Sequence, residues 1–368
     1  MLENSAWTSS YFRAATPPPL PHDGGIGADP DAATRPAPLR FRPAEDVNGE
    51  ELAPRLERLL GGEVSGLERL SGGASRETWS FDVATSQGPR PLVVQLVHSD
   101  LPRTPMTTEA SLLRAADTAG VPVARVVDAS DGLEALGHPF IVLERIEGET
   151  IARRILRDDA HAAVRPRLVG QCARALARLH AIPPESVDGL GEPDQLAFWR
   201  ASLDTSGEAH PAFELALRWL DANRPATRGP VLVHGDFRLG NLIVGPGGLA
   251  AALDWELAHR GDPAEDLGWL CVKAWRFGAA APVAGLGSYD ELLDAYQRAG
   301  GARIDRATLH WWETLGTFKW GVICILQARR HLSGAERSVE LATIGRRVCE
   351  NEWDVLECLD RAAELTHA

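Results

Sequence analysis

Lysine, paired cysteines and long apolar runs are all scarce in this chain of 368 residues. The two lysines, Lys273 and Lys319, come late, so the N-terminal part of the chain has no ammonium side chain. Five scattered cysteines without a C-x-x-C pair argue against a disulfide framework and a zinc site. The most apolar late stretch, residues 321–326, is far too short for a bilayer span. Basic residues (38) are fewer than acidic ones (51), and the net charge of −13 argues against nucleic-acid and membrane partners.

The remaining composition indicates a globular protein. Apolar residues make up 44% of the chain, which is enough for a sizeable core and for two lobes. Residues 1–45 are interrupted by proline and glycine and are predicted to form a flexible leader. No basic segment precedes an apolar stretch of signal-peptide length, so we expect a cytoplasmic location.

Two predicted lobes follow the leader and give an α+β fold. In residues 46–146 a helix over 50–60 precedes three short runs, "GLERLSG", "ETWSFDV" and "PLVVQLV", which predict an antiparallel meander. A helix over 107–119 and two further strands complete this lobe. Residues 147–368 are predicted to be helical, with a clear β signal only in the hairpin "NLIV-GPGG-LAAALDW". In the last helices, one buried stripe is predicted from Trp312, Leu315, Phe318, Val322 and Ile325.

The segment "VLVHGDFRLGN" places three polar side chains after an apolar strand: His234, Asp236 and Asn241. Phosphoryl transfer from a nucleotide needs an acceptor for the proton of the attacking hydroxyl and oxygen ligands for a metal ion. Asp236 is the candidate proton acceptor and Asn241 the candidate magnesium ligand. His234 is better placed to brace the loop than to act as a base. Taken alone, the motif fits a reactive site no better than it fits turn-forming Asp236 and Asn241 beside a core histidine, His234.

Asp254, in "AALDWE", is a second candidate metal ligand. The predicted hairpin after Asn241 returns the chain to the same edge, because antiparallel strands joined by a tight turn bring their outer ends together. We therefore expect Asp254 and Asn241 to meet on one metal ion. This spacing favours phosphoryl transfer over the polar-turn interpretation.

The loop "SGGAS" at 71–75 lies between the first two predicted strands, where a phosphate-covering loop would belong. Gly72 and Gly73 would let backbone N–H groups approach phosphate oxygens, and Ser75 could add a hydroxyl. By itself, a glycine pair in a hairpin most often marks only a turn.

Five motifs in order, "LSGGASRETW", "PFIVLERIEGET", "HGDFRLGN", "LDWE" and "GDPAEDLGW", resemble the aminoglycoside-phosphotransferase-like superfamily of small-molecule kinases. Over about residues 50–360 the chain most resembles bacterial phosphotransferases related to the kinase domain fused to some acyl-CoA dehydrogenases. The resemblance implies a protein-kinase-like two-lobe fold that uses ATP and Mg²⁺. It also implies that Asp236 is the catalytic base and that Asn241 and Asp254 are the magnesium ligands.

The same resemblance assigns roles to two further segments. "LERI" would be the hinge between the lobes, where Leu143 flanks adenine and backbone groups of Glu144 and Ile146 hydrogen-bond to it. An ordinary buried strand is the alternative for this segment. Asp262 and Asp266, in "GDPAEDLGW", are expected to be structural, with Asp266 capping a helix or bracing the active-site loops.

The third predicted strand departs from the superfamily pattern. The resemblance places a lysine or arginine there, paired with the α- and β-phosphates and with a glutamate on the next helix. This chain has Gln95 at that position, so Glu109 is expected to lack its cationic partner and ATP positioning to suffer. Arg76 or Arg103 could supply the charge from elsewhere, although arginines in such places more often extend into solvent.

Two hypotheses of function remain. The first is Mg²⁺-dependent transfer of the γ-phosphate of ATP to a hydroxyl of a small molecule. The second is a catalytically weak or inactive kinase-like protein that binds a nucleotide or metabolite, and the complete set of Asp236, Asn241 and Asp254 argues against it.

The acceptor is expected in the helical lobe, whose tryptophans favour an acyl-bearing or apolar alcohol if one or two of them line a cleft. The overall negative charge leaves a cationic aminoglycoside as the alternative. The tryptophans of this lobe are Trp199, Trp219, Trp269, Trp275, Trp311, Trp312, Trp320 and Trp353.

Overall fold

The computed structural model describes residues 47–70, 76–97, 104–335 and 337–366. The proposed leader, the loop residues Gly72, Gly73 and Ser75, and Arg103 lie outside the described residues.

A five-stranded antiparallel sheet with two helices forms the first lobe, and the predicted meander of its first three strands is confirmed. The strand order is β1-β2-β3-β5-β4, so the last strand in sequence lies inside the sheet. The elements are α1 Gly49–Leu60, β1 Val64–Leu70, β2 Arg76–Thr85, β3 Gly88–Val97, α2 Met106–Thr118, β4 Val126–Ser130 and β5 Phe140–Glu144.

The alternation of side chains along β2 gives the sheet two different faces. Trp79, Phe81 and Val83 share one core cluster with Leu52 and Leu56 of α1. Since successive side chains in a strand point to opposite faces, Arg76 lies on the other face of the sheet. That face is turned toward α2, whose Glu109 contacts Arg76.

Helices and two short β-pairs build the second lobe. The strand β6 pairs with β9, which the sequence did not indicate, and β7 pairs with β8 in the predicted hairpin. The helices are α3 Ala152–Arg157, α4 Arg165–His180, α5 Gln195–Asp204, α6 Pro211–Ala222, α7 Ala264–Cys271, α8 Tyr289–Arg298, α9 Arg306–Leu332, α10 Val339–Gly345 and α11 Val348–Thr366. The strands are β6 Val231–Val233, β7 Leu242–Gly245, β8 Gly248–Ala252 and β9 His259–Gly261.

The long helix α9 is buried on almost every side, so the prediction of a single buried stripe was too narrow. Side chains from Leu309 to Gln327 are buried, with Trp312 the exception at partial burial. Helices α5, α6, α7, α10 and α11 all pack against α9, which leaves it little solvent-facing surface. At the crossing with α7, Gly268 permits close approach, because a Cβ there would lie 2.5 Å from the Cβ of Trp312.

The two lobes share apolar packing. One core cluster joins Ile141 and Leu143 of β5 to Leu176 of α4 and Leu242 of β7. After β5, the chain forms a β-bridge between Glu149 and Val244 of β7, so the segment that follows β5 lies beside the β7–β8 hairpin. All five cysteines are free thiols, and no described helix is both long and apolar enough to cross a membrane.

Candidate active site

Asp266, at the start of α7, fixes the backbone of the loop after β6. Its buried carboxylate accepts hydrogen bonds from the N–H of His234 at 2.8 Å and of Gly235 at 2.9 Å. His180 Nε2 lies 3.2 Å from the same carboxylate. Burial opposes ionisation, but the bonds with His180 and the His234 amide hold the pKa of Asp266 below its usual value. Asp266 therefore braces the loop.

Asp262 belongs to the start of α7 rather than to the loop. Its Oδ1 accepts from the N–H of Ala264 at 2.9 Å, and its Oδ2 accepts from the N–H of Arg228 at 3.0 Å. The first bond satisfies an amide at the N-terminus of α7 that would otherwise lack a partner within the helix. Asp262 thus tethers the segment before β6 to α7.

Gly235 occupies a position that a larger residue would not fit. Its φ of 78° lies in the left-handed region, and a Cβ there would stand 2.5 Å from the carbonyl oxygen of Leu257. Its own carbonyl accepts a hydrogen bond of 2.9 Å from the buried Lys319 Nζ. The loop is thereby held from α9 as well as from α7.

His234 supports the loop as a neutral ring. Its Nδ1 accepts a hydrogen bond of 3.2 Å from the N–H of Asp236. Burial lowers the pKa of His234, although the nearby carboxylates of Asp266 and Asp236 oppose this shift. The ring also packs on Trp255 with the centroids 4.4 Å apart.

The carboxylate of Asp236 is buried and held by three donors. Oδ1 accepts from Arg238 Nε at 3.0 Å and from Trp269 Nε1 at 2.7 Å, and Oδ2 accepts from Asn241 Nδ2 at 2.6 Å. The guanidinium of Arg238 also stacks on Trp275, with Cζ 4.6 Å from the ring centroid. A carboxylate bonded through both oxygens has one orientation, which is what a group that receives a proton from a substrate needs.

The hairpin of β7 and β8 brings Asn241 and the segment of Asp254 together. Leu242 pairs with Ala252, and the N–H of Leu253 donates to the carbonyl of Asn241 at 2.8 Å. Asp254 follows directly and has a φ of 65°, an uncommon conformation for a residue other than glycine. Asn241 also donates from Nδ2 to the Asp236 carbonyl at 3.1 Å, so its Oδ1 is the amide atom suited to a cation.

Two carboxyl groups at the end of this hairpin have raised pKa values. Burial and the negative charge of Asp236 raise the pKa of Asp254 to about 6, against the opposing charges of Arg76 and Arg238. Burial and the charge of Asp254 likewise raise the pKa of Glu256. Glu256 Oε1 is buried and has no hydrogen-bond partner among the described residues. The pair is an environment that an additional positive charge would stabilise.

Glu109 does have a cationic partner, which corrects the expectation from Gln95. Arg76 forms a two-pronged ion pair with it, through Nη1 to Oε1 at 2.9 Å and Nη2 to Oε2 at 2.7 Å. Gln95 Oε1 accepts from the same Nη1 at 3.1 Å. In the β2–β3 register Thr78 faces Gln95 and Arg76 faces Val97, so Arg76 and Gln95 are diagonal neighbours on one face. The cation comes from the neighbouring strand.

The proposed hinge lies at the end of β5. Leu143 is almost buried and faces Val93 and Val126 of the flanking strands. The N–H of Glu144 is engaged with the carbonyl of Arg125 at 2.9 Å, which leaves only its carbonyl for a ligand. The N–H of Ile146 has no hydrogen-bond partner in the part of the chain that the structure describes.

Residues 66–312, more than half of the chain, match the family model described as the phosphotransferase enzyme family, or APH. The chain belongs to this family. The matched range includes the candidate active site, because Asp236, Asn241 and Asp254 all lie within it.

Solved structures confirm the expected α+β protein-kinase-like fold of this phosphotransferase. A Ralstonia eutropha protein named as a candidate aminoglycoside phosphotransferase is 20% identical, with a TM-score of 0.66, and the match covers 84% of this chain and 98% of that one. The aminoglycoside phosphotransferase APH(4)-Ia, in ternary complex with AMP-PNP and hygromycin B, is 16% identical with a TM-score of 0.58. That match covers 85% of this chain and 99% of the other.

Curated relatives of the phosphotransferase are much longer proteins. Acyl-CoA dehydrogenase family member 10 of Mus musculus is 30% identical over 189 residues, which are 48% of this chain and 17% of the relative. Acyl-CoA dehydrogenase family member 11 of Gallus gallus is 27% identical over 271 residues, or 66% of this chain and 34% of the relative. The matched region therefore spans 17% of the first of these proteins and about a third of the second.

Sequence reasoning missed several residues that shape the site of this phosphotransferase. Arg238 and Trp269 reach Asp236 from the loop itself and from α7, and Lys319 reaches the loop from α9. A signal was present in Lys319, because a lone lysine within a long apolar helix must find a partner when it is buried. His180, for which no role was predicted, contacts the carboxylate of Asp266 and the hydroxyl of Tyr296 through its two ring nitrogens.

The donor set suits a divalent cation with hard oxygen ligands. Asn241 offers an amide oxygen and Asp254 a carboxylate, and both belong to one hairpin. No group of three or more His, Cys, Asp or Glu side chains among the described residues could hold a metal alone. Magnesium fits this pattern, because it is usually held by one or two protein ligands together with substrate phosphates and waters.

Proposed function

We propose that this protein catalyses the Mg²⁺-dependent transfer of the γ-phosphate of ATP to a hydroxyl group of a small molecule. The observation that carries the proposal is the oriented Asp236 carboxylate, bonded to Asn241 at 2.6 Å, with Asp254 brought to the same hairpin edge. In this proposal residues 46–146 form the nucleotide-binding lobe and residues 147–368 the catalytic and acceptor lobe.

Asp236 is the proposed catalytic base. Its carboxylate orients the acceptor hydroxyl and takes up the hydroxyl proton as the oxygen attacks the phosphate in line. Arg238, Trp269 and Asn241 keep the carboxylate in place during this step through the contacts described above. Asp266 and Lys319 hold the backbone on which Asp236 stands.

Asn241 and Asp254 are the proposed magnesium ligands, and the end of β5 the proposed adenine site. Bound Mg²⁺–ATP supplies a transferable phosphate whose charge is partly neutralised. Asn241 Oδ1 and the Asp254 carboxylate would hold the cation, the carbonyl of Glu144 and the N–H of Ile146 would bond adenine, and Leu143 would flank it. The alternative of an inactive binding protein rested on Gln95 at the position of the phosphate-binding cation, and the Arg76 guanidinium beside Gln95 and Glu109 weakens that reason.

An acyl-bearing or apolar alcohol is the acceptor class that we favour. The groups beside the Asp236 carboxylate include the Arg238 guanidinium and the Trp269 indole, a setting that suits a polycationic acceptor poorly. The curated relatives are named as acyl-CoA dehydrogenase family members, which agrees with an acyl-bearing acceptor. The tryptophans themselves contribute mainly to the core, since Trp199, Trp269, Trp275, Trp311 and Trp320 are buried.

The proposal predicts transfer of label from γ-labelled ATP. Purified protein would be incubated with hydroxylated acyl compounds, apolar alcohols or an aminoglycoside, and labelled organic phosphate would be separated from labelled inorganic phosphate. We expect a labelled phosphate ester of an acyl-bearing or apolar alcohol. This product should form in the presence of Mg²⁺ and not when EDTA removes the metal ion. Transfer that survives EDTA would contradict the metal assignment, and an aminoglycoside as the one labelled product would contradict the favoured acceptor class.

A further inference from the structure

The guanidinium of Arg76 lies where the strands, α2 and the hairpin of the second lobe converge. Besides its paired bonds to Glu109 and its bond to Gln95, it stands 3.4 Å from Glu256 Oε2. Its side chain is only 10% exposed. Glu256 follows Asp254 by two residues, so Arg76 connects the first lobe to the segment that carries a proposed magnesium ligand.

Other candidate cations are engaged elsewhere or face solvent. Lys273 bonds to Asp354 and Glu357, and Lys319 lies beneath Gly235. In the described part of the first lobe, Arg69, Arg90 and Arg125 have side chains that are 48%, 44% and 70% exposed. Arg76 differs from these three arginines because its side chain is buried and contacts the second lobe through Glu256.

The Arg76 guanidinium is surrounded by acceptors but keeps N–H groups for a further one. Glu109 and Glu256 contact it directly, and Asp254 interacts with it electrostatically. A guanidinium presents five N–H donors in a planar fork, so two oxygens of Glu109 and one of Gln95 do not exhaust its donors. The contact with Glu256 is long for a charge-assisted bond and is the one that a phosphate oxygen could replace most readily.

We propose that Arg76 on β2 is the phosphate-binding cation of the nucleotide site, in place of a lysine or arginine on β3. Glu109 sets the direction of the guanidinium, and Gln95 supports it as a neutral acceptor rather than as a phosphate ligand. This inference rests on the proposed function, because it concerns how the nucleotide phosphates are held. It differs from a purely structural contact between the lobes, which would not discriminate between adenosine and its phosphorylated forms.

Moving the cation between strands tests the assignment. Calorimetry would measure the affinities of Mg²⁺–ADP and of adenosine for the wild type, Arg76→Gln, Arg76→Gln/Gln95→Lys and Gln95→Lys. We expect Arg76→Gln to weaken Mg²⁺–ADP binding about 10- to 100-fold, as loss of charge-assisted bonds implies, and to leave adenosine binding within about twofold. Gln95→Lys should recover most of the lost affinity in the double variant and change it less than about threefold in the wild-type background.

Arg58→Gln is the matched control, because it removes an exposed first-lobe cation on α1, which packs on the opposite face of the sheet, and should leave both affinities unchanged. Arg76→Lys keeps the positive charge but not the planar guanidinium, and it replaces Arg76→Gln in the comparison if that variant does not fold. Unchanged Mg²⁺–ADP binding by Arg76→Gln, an equal loss for both ligands, or a selective loss that Gln95→Lys does not recover would overturn the assignment of Arg76. A wild-type protein that binds neither Mg²⁺–ADP nor adenosine would instead overturn the proposed function.

Discussion

Asp236→Asn is expected to lower the rate of phosphate transfer by about 10²- to 10⁴-fold while Mg²⁺–nucleotide affinity stays within about threefold. Asparagine keeps the size of the side chain but cannot take up the proton of the acceptor hydroxyl. Asp236 itself makes none of the proposed nucleotide contacts. Asn241 loses its bond to Oδ2 but is still held by its bond to the carbonyl of residue 236 and by the N–H of Leu253. Steady-state transfer rates and calorimetric nucleotide affinities measure the two quantities separately.

Asp221→Asn is the matched control for charge, because Asp221 is an exposed partner of Arg200 outside the site. Asp236→Ala should also abolish transfer, but it leaves the buried Arg238 guanidinium without its carboxylate. Breaking a buried pair in this way costs about 3–5 kcal/mol, so the alanine variant should also unfold more readily. Retained turnover in a folded Asp236 variant would refute its role as the base.

Asp266→Asn is expected to loosen the loop after β6 and so impair transfer, although Asp266 is not proposed to contact the substrate. The carboxylate serves two backbone N–H groups through separate oxygens, and an amide can accept from only one of them. A buried donor left without a partner costs about 1–3 kcal/mol, and the loss of charge adds to this cost. We expect a loss of about 2–4 kcal/mol in the free energy of unfolding and at least a tenfold lower transfer rate.

The pH dependence of this stability difference has a defined direction. The pKa of Asp266 is lower in the folded protein than in the unfolded chain, so its contribution is present above the unfolded value of about 3.9. The contribution disappears as the pH falls through the folded pKa. Denaturant unfolding of Asp266→Asn and wild type should therefore differ at neutral pH and converge only below about pH 4. Asp290→Asn, on the exposed start of α8, is the control, and equal stability of Asp266→Asn and wild type at pH 7 would contradict the bracing role.

The sequence revealed those parts of the site that are set by short spacings. Asp236 and Asn241 share one loop, and a tight hairpin then determines where the segment of Asp254 must return. The antiparallel meander could be predicted for the same reason, because its turns and apolar runs are local features of the sequence. Such features depend on residues that are close in sequence, so they can be predicted without knowledge of how the rest of the chain folds.

Features that depend on tertiary contacts could not be predicted from the sequence. Arg76 was assigned no favoured role, because its usefulness comes from a diagonal position across β2 and β3 and from facing α2. The pairing of β6 with β9 joins two three-residue strands that carry too little pattern to be recognised alone. The all-round burial of α9 likewise follows from five helices packed around it, and a stripe in the sequence reveals only one of those contacts.

Calorimetric titration of ATP into the wild-type protein, with Mg²⁺ and then with EDTA, tests the central claim without knowledge of the acceptor. We predict binding that requires Mg²⁺ and that weakens as the pH falls through about 6, because protonated Asp254 cannot ligate the cation. Asp254→Asn should bind weakly at every pH and lose this pH dependence. ATP binding that is the same with EDTA, or no binding in either condition, would contradict a magnesium–nucleotide site built on Asn241 and Asp254.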